Sequence, residues 1–402
     1  MFAGQSLLTE SRRYSARRQE FLPFHVPAIG DEEIAAVVEV LKSGWLTTGS
    51  KVREFEKQFC RFVGSRHAVA VNSATAALHL ALKAIGLRER DEVIVPTMTF
   101  AATAEVVLYL GAKPVLVDCE PDTLNMDPDR LGAAITPRTK AIIPVHFAGQ
   151  PCDMKKILRF AQAHELKVIE DAAHALPASD RSRMIGSIGD ITCFSFYATK
   201  TITTGEGGMA TTDNPDWADK MRMLSLHGIS HDAWNRYGAE GSWHYEILSL
   251  GYKYNLTDIA ASIGLQQIKK CHALAAARRR IAAAYNAGFS DLAEIRTPVC
   301  RPGIQHAWHL YVIQLELERL TLDRREFIEA LREKNIGTSV HFTPLHLHPF
   351  YRRNFGYRPE DFANALKAYE RIISLPIYPR MTAADVDDVI NAVRATVERY
   401  RR

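Results

Sequence analysis

Val168-Ile169-Glu170-Asp171-Ala172-Ala173-His174 joins a short apolar run to a carboxylate and a histidine. Similar apolar runs precede it along the chain, separated by helix-like stretches, at residues 68–71, 93–95, 114–117 and 141–145. Because these runs are almost continuously apolar, without the polar alternation of a half-exposed strand, they predict parallel strands that are buried on both faces. The expected fold class is therefore α/β, with a mostly parallel, doubly wound central sheet covered by helices.

The chain has 402 residues, more than one hydrophobic core usually organises, so two domains are expected. After a long helical pattern at residues 256–289, the element order changes to a strand-like run at 309–317 and a helix-like run at 324–333. The long helix should bridge the two domains. The expected division is a mobile, arginine-rich N-terminal arm (1–22), a large α/β domain (23–265) and a smaller α+β C-terminal domain (266–402).

Composition and charge exclude several functional classes. The 50 basic and 46 acidic residues nearly cancel to a net charge of +4, and no basic stripe predicts nucleic-acid binding. No apolar stretch has the length of a membrane span, and the N-terminus lacks the apolar core of a signal peptide, so no membrane partner is expected. Six scattered cysteines without a C-x-x-C pair favour a reducing, cytoplasmic location.

Asp171 is the first candidate functional group. A buried strand delivers this carboxylate to its carboxyl end, where open α/β sheets bind their ligands. A buried carboxylate is costly unless a cation pairs with it, and a protonated ring nitrogen of a bound cofactor would be such a partner. For Asp171 alone, capping of a following helix is an equally simple explanation.

Lys200 is the second candidate. It ends the stretch at residues 194–200 (FSFYATK), between an apolar strand and the glycine-rich residues 203–208 (TTGEGG). A lysine in this position can be partly desolvated, which lowers its pKa and frees the amine to attack an aldehyde. Ser195 supplies a hydroxyl for a phosphate. The alternatives are an exposed surface lysine and a serine satisfied by its own backbone.

A third element, residues 71–78 (VNSATAAL), passes from a strand through small polar residues into a helix. The free amides and the dipole of that helix start favour phosphate binding. The stretch has neither the G-x-x-x-x-G-K pattern nor the G-x-G-x-x-G dinucleotide pattern. It therefore indicates a phosphate site of another kind.

In this chain order the three elements resemble the DegT/DnrJ/EryC1/StrS family of sugar aminotransferases. The similarity runs nearly end to end, and the matching stretches are residues 43–49 (SGWLTTG), 96–100 (PTMTF), 169–174 (IEDAAH), 205–208 (GEGG) and 251–258 (GYKYNLTD). The resemblance implies a fold-type-I pyridoxal-phosphate-dependent transferase with a smaller α+β C-terminal domain. Segments at 141–149, 251–258 and 306–313 are similar to members that aminate a UDP-linked 4-keto-pentose for lipopolysaccharide modification.

The same resemblance implies roles for individual residues. Lys200 would hold pyridoxal 5'-phosphate as a Schiff base and move protons, Asp171 would pair with the pyridinium, and His174 would contact the ring hydroxyl. Phe100 would stack on the ring. The residues implied at the cofactor phosphate are Ala74, Thr75 and Ser195, with Asn255 reaching the phosphate of the neighbouring subunit of a homodimer with shared active sites. A core aromatic, a satisfied histidine and a turn residue are the alternatives for Phe100, His174 and Asn255.

The same resemblance implies which residues contact the substrate. His341 falls in a stretch that lies near the sugar in the family, and Trp45, Thr48 and Trp308 are predicted to line the same mouth, although the tryptophans also suit a core. Five histidines could suggest a metal, namely His306, His309, His341, His346 and His348. Their spacing lacks the H-E-x-x-H pattern, so no metal site is predicted.

The reaction implied is a ping-pong transamination. L-Glutamate would give its amino group to the cofactor and leave as 2-oxoglutarate, and a nucleotide-linked keto-sugar, with C4 of a UDP-4-keto sugar favoured, would then accept it. One rival is a pyridoxamine-dependent sugar dehydratase of the same fold, which has histidine in place of the reactive lysine. A second rival is a non-catalytic regulatory protein that binds the cofactor.

Overall fold

The structure is a computed structural model that describes residues 18–229 and 245–402. The strands are β1 (His67–Val71), β2 (Glu92–Pro96), β3 (Lys113–Val117), β4 (Thr139–Ile142), β5 (Lys167–Asp171), β6 (Ser179–Asp180), β7 (Arg183–Met184), β8 (Ile191–Ser195), β9 (Gly208–Thr212), β10 (Ile295–Arg296), β11 (Ile304–Gln305), β12 (Tyr311–Leu315) and β13 (Ile372–Leu375). The five strands expected before residue 175 are all present, and their ends lie within three residues of the predicted ones.

Seven of these strands form the central sheet, in the order β1-β9-β8-β5-β4-β2-β3. Strand β9 runs antiparallel to both of its neighbours, and every other neighbouring pair is parallel. The prediction of a mostly parallel sheet is therefore confirmed. Because the parallel strands point the same way, the loops after β2, β4, β5 and β8 meet at one edge of the sheet.

Twelve α-helices are found among the described residues. They are α1 (Asp31–Ser43), α2 (Ser50–Val63), α3 (Ala74–Ala84), α4 (Ala102–Leu108), α5 (Leu131–Ala134), α6 (Met154–Ala163), α7 (Pro215–Leu224), α8 (Asp258–Gly288), α9 (Arg324–Glu333), α10 (Pro349–Phe355), α11 (Ala363–Tyr369) and α12 (Ala383–Tyr400). Helix α1 ends at Gly44, whose φ of 76° is the left-handed geometry that glycine adopts without strain. At its other end, Gly30 is the N-cap and Asp31 is the first helical residue.

Helices cover both faces of the central sheet. Successive residues of a strand point to opposite faces, and in β1 Val69 packs with α3 and α7 while Ala68 packs with α2 and α8. The first layer is filled by residues such as Leu78 and Met221, and the second by residues such as Phe59. The doubly wound core expected from the apolar runs is therefore confirmed.

The C-terminal part has its own sheet and core. Strands β10, β12 and β13 form an antiparallel sheet, and its buried residues pack with α9, α12 and the second half of α8. Helix α8 serves both cores, because Leu265 packs with the central sheet and Tyr285 packs with the C-terminal sheet. This helix therefore contacts both cores, and the division of the chain into domains stays a prediction. The exact boundary after residue 265 stays a prediction.

The end of the expected N-terminal arm is held in place. Arg18 forms ion pairs of 2.6 Å with Asp385 and 2.7 Å with Asp388 on α12. Leu22 is buried, and its amide donates to the carbonyl of Asn335 at 2.8 Å. The expected mobility therefore does not hold for residues 18–22, whereas residues 1–17 lie outside the described part of the chain. No helix among the described residues is long and apolar enough to cross a membrane.

Candidate active site

A cavity of about 440 Å³ lies at the edge of the central sheet where the parallel strands end. Eight of the residues proposed from the sequence line it: Ala74, Thr75, Phe100, Asp171, His174, Ser195, Lys200 and His341. They come from the loops after β1, β2, β5 and β8 and from the C-terminal part. The fold thus brings together residues that are up to 267 positions apart in the chain (74 to 341).

Asp171 is the last residue of β5 and is only 6% exposed. Its carboxylate accepts hydrogen bonds from the hydroxyl of Thr103 at 2.8 Å and from the amide of Ala173 at 3.2 Å. Burial raises the pKa of Asp171, while these two hydrogen bonds and the nearby amine of Lys200 act in the opposite sense. Among the described residues none forms an ion pair with this carboxylate, so a bound cation would stabilise it.

Lys200 follows β8 in a tight turn, in which its amide donates to the carbonyl of Tyr197 at 2.9 Å. The side chain is half-buried in the cavity wall. Burial lowers the pKa of Lys200 to about 8, the carboxylate of Asp171 raises it, and the guanidinium of Arg278 lowers it further. A useful fraction of the amine is therefore neutral, and so nucleophilic, near neutral pH.

A phosphate-sized recess is formed where α3 begins. The hydroxyl of Ser73 caps this helix by accepting from the amide of Ala76 at 3.1 Å. The amides of Ala74 and Thr75 belong to the first turn, which has no intrahelical acceptor for them. Ser195 lies on the same wall, and its hydroxyl oxygen accepts from the amide of Tyr197 at 3.3 Å. These groups are donors of the kind that an anion needs at a helix start.

Aromatic rings form the sides of the cavity. Phe100 is 63% exposed, so its ring can contact a ligand rather than the core. His174 is buried and stacks on Phe342, with ring centroids 5.9 Å apart. Its Nδ1 has no hydrogen-bond partner among the described residues, and burial lowers the pKa of His174 well below its usual value. A neutral ring with an unpaired nitrogen is suited to a hydroxyl of a bound molecule.

His341 enters the cavity from the C-terminal part. Its Nδ1 lies 2.9 Å from the hydroxyl oxygen of Ser374, and its ring stacks on Phe24 with centroids 5.5 Å apart. Burial lowers the pKa of His341 to about 4, so the ring is neutral at physiological pH. The substrate role predicted for it stays a prediction, and its position in the cavity wall is compatible with that role.

Three other predicted site residues form a surface cluster outside the cavity of their own chain. The side-chain amide of Asn255 donates to the hydroxyl of Thr48 at 2.7 Å. This hydroxyl in turn donates to the backbone carbonyl of Leu256 at 2.5 Å. The indole of Trp45 donates to the carbonyl of Thr48 at 3.0 Å. The Trp45–Thr48–Asn255 cluster therefore joins two of the stretches, 43–49 and 251–258, that carry the family likeness.

Trp308 lies apart from the cavity of its own chain. It is only 7% exposed, belongs to the core of the C-terminal part and does not line the cavity. Its ring stacks on His306 with centroids 4.0 Å apart, and its amide donates to Nδ1 of His306 at 2.8 Å. The stacking and the core position agree with the packing alternative given for this tryptophan, and its substrate role stays a prediction.

Several cavity residues were not found from the sequence. Phe24 and His25 lie just beyond the predicted arm, His309 and Phe342 come from the C-terminal part, and Thr103 orients Asp171. The imidazole Nε2 of His25 lies 3.1 Å from the carbonyl of Ala198, two residues before Lys200. No sequence motif indicates that these residues reach the cavity, because their positions depend on packing between distant parts of the chain. Only the run of apolar residues around Phe24 could have suggested a buried segment.

The five histidines do not form a common cluster. His346 is buried and lies 2.7 Å from the hydroxyl of Thr97, whereas His348 lies on the surface side of the same loop with Nε2 3.3 Å from the carbonyl of Thr343. Within residues 18–229 and 245–402, no group of three or more potential ligand side chains could hold a metal ion.

The residues of the cavity fit an aromatic, phosphate-bearing aldehyde. Asp171 is a buried carboxylate without an ion-pair partner, His174 has an unpaired ring nitrogen, and Lys200 is a partly desolvated amine. The helix start at Ala74 supplies donors for the phosphate. Together with the central sheet, this site defines a fold-type-I transferase of the pyridoxal-phosphate-dependent class.

Comparison with known proteins specifies the class further. The chain belongs to the DegT/DnrJ/EryC1/StrS aminotransferase family, whose sequence model matches residues 27–394. It is 54% identical to the spore coat polysaccharide biosynthesis protein SpsC of Bacillus subtilis over 383 residues, which cover 95% of this chain and 98% of SpsC.

Solved structures of relatives share the whole fold. One is a protein described as a sugar aminotransferase, Spr1654 from Streptococcus pneumoniae, in its PLP form; it has a TM-score of 0.87 and 35% identity, covering 94% of this chain and 99% of that one. Another is PseC of Helicobacter pylori, an aminotransferase of pseudoaminic acid biosynthesis, with a TM-score of 0.87 and 30% identity over 95% of this chain and all of PseC. The fold class predicted from the sequence is therefore confirmed.

Proposed function

We propose that this protein transfers the amino group of L-glutamate to a nucleotide-linked keto-sugar, with C4 of a UDP-linked 4-keto sugar as the favoured position. The observation that carries the proposal is the shared cavity of Lys200 and Asp171, beside a helix start that suits a phosphate. Two relatives support a sugar as the acceptor, because one serves polysaccharide biosynthesis and the other pseudoaminic acid biosynthesis. The product would enter the synthesis of a surface polysaccharide.

Pyridoxal phosphate is the cofactor, and Spr1654 is known in both its PLP form and its PMP form. When bound, it supplies an aldehyde carbon that takes over the amino group and a pyridinium ring that withdraws electrons from the reacting carbon. Asp171 would hold the ring nitrogen, and the amides of Ala74 and Thr75 with the hydroxyl of Ser195 would hold the phosphate. Phe100 would contact the face of the ring.

Lys200 moves the proton. With a pKa of about 8, Nζ of Lys200 would take a proton from the α-carbon of the amino donor and deliver it to the carbon on the other side of the amino nitrogen. In the second half of the cycle Nζ carries the proton in the reverse direction, toward the carbon that began as the sugar ketone. The buried, largely apolar surroundings keep water away from these transfers.

Asp171 and His174 keep the ligand in one orientation. The carboxylate of Asp171 is fixed by Thr103 and Ala173, so its charge points into the cavity without reorganisation. Neutral His174 would contact the ring hydroxyl through its unpaired nitrogen. This fixed charge favours a protonated ring nitrogen, and the electron-withdrawing state of the ring depends on that proton.

A homodimer with shared active sites is part of the proposal. Asn255, Thr48 and Trp45 lie outside the cavity of their own chain, which is the arrangement expected for residues that complete the site of a second copy. The exposed apolar side chains of Ile247 and Leu250, at 70% and 78%, lie a few residues before Asn255. Exposed apolar surface of this kind favours association of two copies.

The two rivals differ in their requirements for Lys200. A sugar dehydratase of this fold has histidine at the reactive lysine, so the presence of Lys200 opposes that function. A regulatory protein would bind the cofactor without turnover. The lowered pKa of Lys200 favours the transferase, because a partly neutral amine beside a fixed carboxylate is suited to moving protons as well as to holding the cofactor.

The deciding experiment is a visible absorption spectrum of the purified protein, reconstituted with pyridoxal phosphate, before and after addition of L-glutamate. We expect a yellow band that bleaches as the amino group is transferred, and 2-oxoglutarate should appear in equal amount. Addition of a UDP-4-keto sugar should then restore the band and yield the amino sugar. A stable yellow band that L-glutamate does not bleach would favour the regulatory protein instead.

A further inference from the structure

A buried arginine lies directly behind the turn that carries Lys200. Arg278 on α8 has no exposed surface and is the largest fully buried side chain among the described residues. It forms no ion pair with any residue in the described ranges, and its Nε has no hydrogen-bond partner there. Burial lowers the pKa of Arg278 only to about 10, so the guanidinium keeps its charge at neutral pH.

The guanidinium is held by backbone carbonyls instead of a carboxylate. Its Nη1 donates to Ile377 at 2.6 Å, to His309 at 3.1 Å and more weakly to Trp308 at 3.4 Å. Its Nη2 points toward the carbonyl of Thr199, the residue before Lys200, at 3.4 Å. One side chain thus connects the Lys200 turn to two segments of the C-terminal part.

An unpaired buried cation is expensive for a fold. Removing a guanidinium from water costs several kcal/mol, and a hydrophobic side chain of similar volume often avoids that cost with no loss of stability. Stability alone therefore does not explain an arginine here. A role that requires both the several N–H donors of the guanidinium and its positive charge would explain why this residue is an arginine.

We propose that Arg278 is a positioning residue for Lys200, which fixes the Thr199 carbonyl against the C-terminal part and places an unpaired positive charge behind the amine. The proposal rests on the proposed function, since it treats Lys200 as the reactive amine. The carbonyl contact holds Nζ at a constant position relative to Asp171. The charge disfavours the protonated amine, so that Lys200 is ready to react with an aldehyde.

Other ionisable groups near Lys200 also affect the protonation of its amine. Asp171 lies at the end of β5 and favours the protonated amine. The remaining groups that line the cavity are His25, His174, His309, His341, Tyr197 and Glu206. Burial lowers the pKa of all four histidines, so they are neutral at neutral pH. Burial has the largest effect on the pKa of this amine, and Arg278 opposes part of the effect of Asp171.

The first test measures Lys200 in the cofactor-free protein, where catalysis plays no part. Competitive acetylation at a series of pH values, read by peptide mass spectrometry, gives the pH midpoint of Lys200 reactivity. Arg278→Met should raise that midpoint by roughly one pH unit. Arg279→Met, an exposed arginine on the same helix, should leave it unchanged. A folded Arg278→Met protein with the native midpoint would overturn the proposal.

A second variant separates charge from hydrogen bonding and remains informative if Arg278→Met does not fold. Arg278→Lys keeps the charge but loses the two guanidinium nitrogens that connect the carbonyls of Thr199 and Ile377. We expect a native midpoint and a kcat that is lower by roughly tenfold or more, because the amine is less well placed. The donor KM should change little. A kcat equal to that of Arg279→Met would contradict the positioning role.

The outcome can be separated from a failure of the proposed function. If Lys200 is not the reactive amine, borohydride reduction of the unchanged protein with pyridoxal phosphate will leave no adduct on Lys200. If only the role of Arg278 is wrong, the adduct will form on Lys200 while the acetylation midpoint of Arg278→Met stays native. The two measurements use different states of the protein and do not depend on each other.

Discussion

Gly208 lies against the backbone of Ser73, so close that a Cβ on Gly208 would overlap the Ser73 carbonyl and lie 2.6 Å from the amide nitrogen of Ala74. The first residue of β9 therefore supports the first turn of α3, where the phosphate is proposed to bind. Only glycine permits this approach, because the atoms that a side chain would meet belong to the backbone and cannot move aside.

Gly208→Ala should weaken cofactor binding. The added methyl group pushes the start of α3 away from β9, at a cost of about 1–3 kcal/mol, and displaces the amides of Ala74 and Thr75. We expect the Kd for pyridoxal phosphate, measured by absorbance titration, to rise by roughly tenfold or more. Gly132→Ala is the matched control, because a Cβ on Gly132 meets no atom within 4 Å. A native Kd for Gly208→Ala would show that this contact does not shape the phosphate site.

Lys200→Ala should stop both half-reactions. Loss of the group that moves the proton lowers rates by roughly 10²–10⁴-fold, and loss of the amine also removes the covalent link to the cofactor. Stopped-flow absorbance with L-glutamate measures the first half-reaction directly. The fold should be intact, since no hydrogen bond joins the Lys200 side chain to another residue of the described ranges. Turnover close to the native rate would exclude Lys200 as the proton carrier.

Asp171→Asn should keep the fold and lose most of the rate. The amide has the shape of the carboxylate and can still accept from Thr103, but it has no negative charge to favour a protonated ring nitrogen. We expect kcat to fall by roughly a hundredfold or more, with a smaller change in the melting temperature. Thr103→Val, which removes only the hydrogen bond, should have a milder effect on kcat. Similar rates for Asp171→Asn and the native protein would argue against the ring contact.

The stability of the cofactor-free protein should depend on pH through Lys200. The pKa of this amine falls from 10.5 in a solvated chain to about 8 in the fold, so the unfolded state binds the proton more tightly. Stability should therefore increase with pH between about 8 and 10.5, and the penalty should be full below about 8. Lys200→Met should be more stable than the native protein at pH 7, and this difference should shrink as the pH rises.

Urea unfolding at pH 7, 8, 9 and 10 measures this effect. Lys155→Met is the control, because Lys155 is exposed on α6, and its difference from the native protein should not vary with pH in the same way. A constant difference between Lys200→Met and the native protein across this range would mean that the fold does not perturb the amine.

The central sheet and the cofactor side of the site could be predicted because their signals are local. Buried parallel strands are continuous apolar runs, and Asp171, Ser195 and the start of α3 each follow such a run directly. Strand ends were less certain. The run at residues 141–145 predicted a strand that extends beyond Ile142, where β4 ends. Pro144 has no amide to donate, but pairing with β5 continues past it, because the amide of Asp171 donates to the carbonyl of Pro144 at 2.9 Å and Val145 forms a parallel bridge with Asp171.

The substrate side could not be predicted in the same way. Phe24, His25 and Phe342 reach the cavity only through packing of the two ends of the chain against each other, and nothing local distinguishes them from ordinary core residues. Trp308 shows the opposite case, since its aromatic ring suggested a ligand contact and its surroundings are those of a core. Arg278 is the first of three consecutive arginines, and only the fold shows that it is buried behind Lys200.

The cavity wall combines residues from near the start of the chain with others from near its end. Phe24 stacks on His341, and Ile377 completes the same wall. The carbonyl of Ile377 accepts a hydrogen bond from Arg278. A ribosome must therefore have synthesised the chain past residue 377 before this wall can form. The cavity residues proposed to hold the cofactor, between positions 74 and 200, are therefore synthesised well before the wall that faces the proposed substrate is complete.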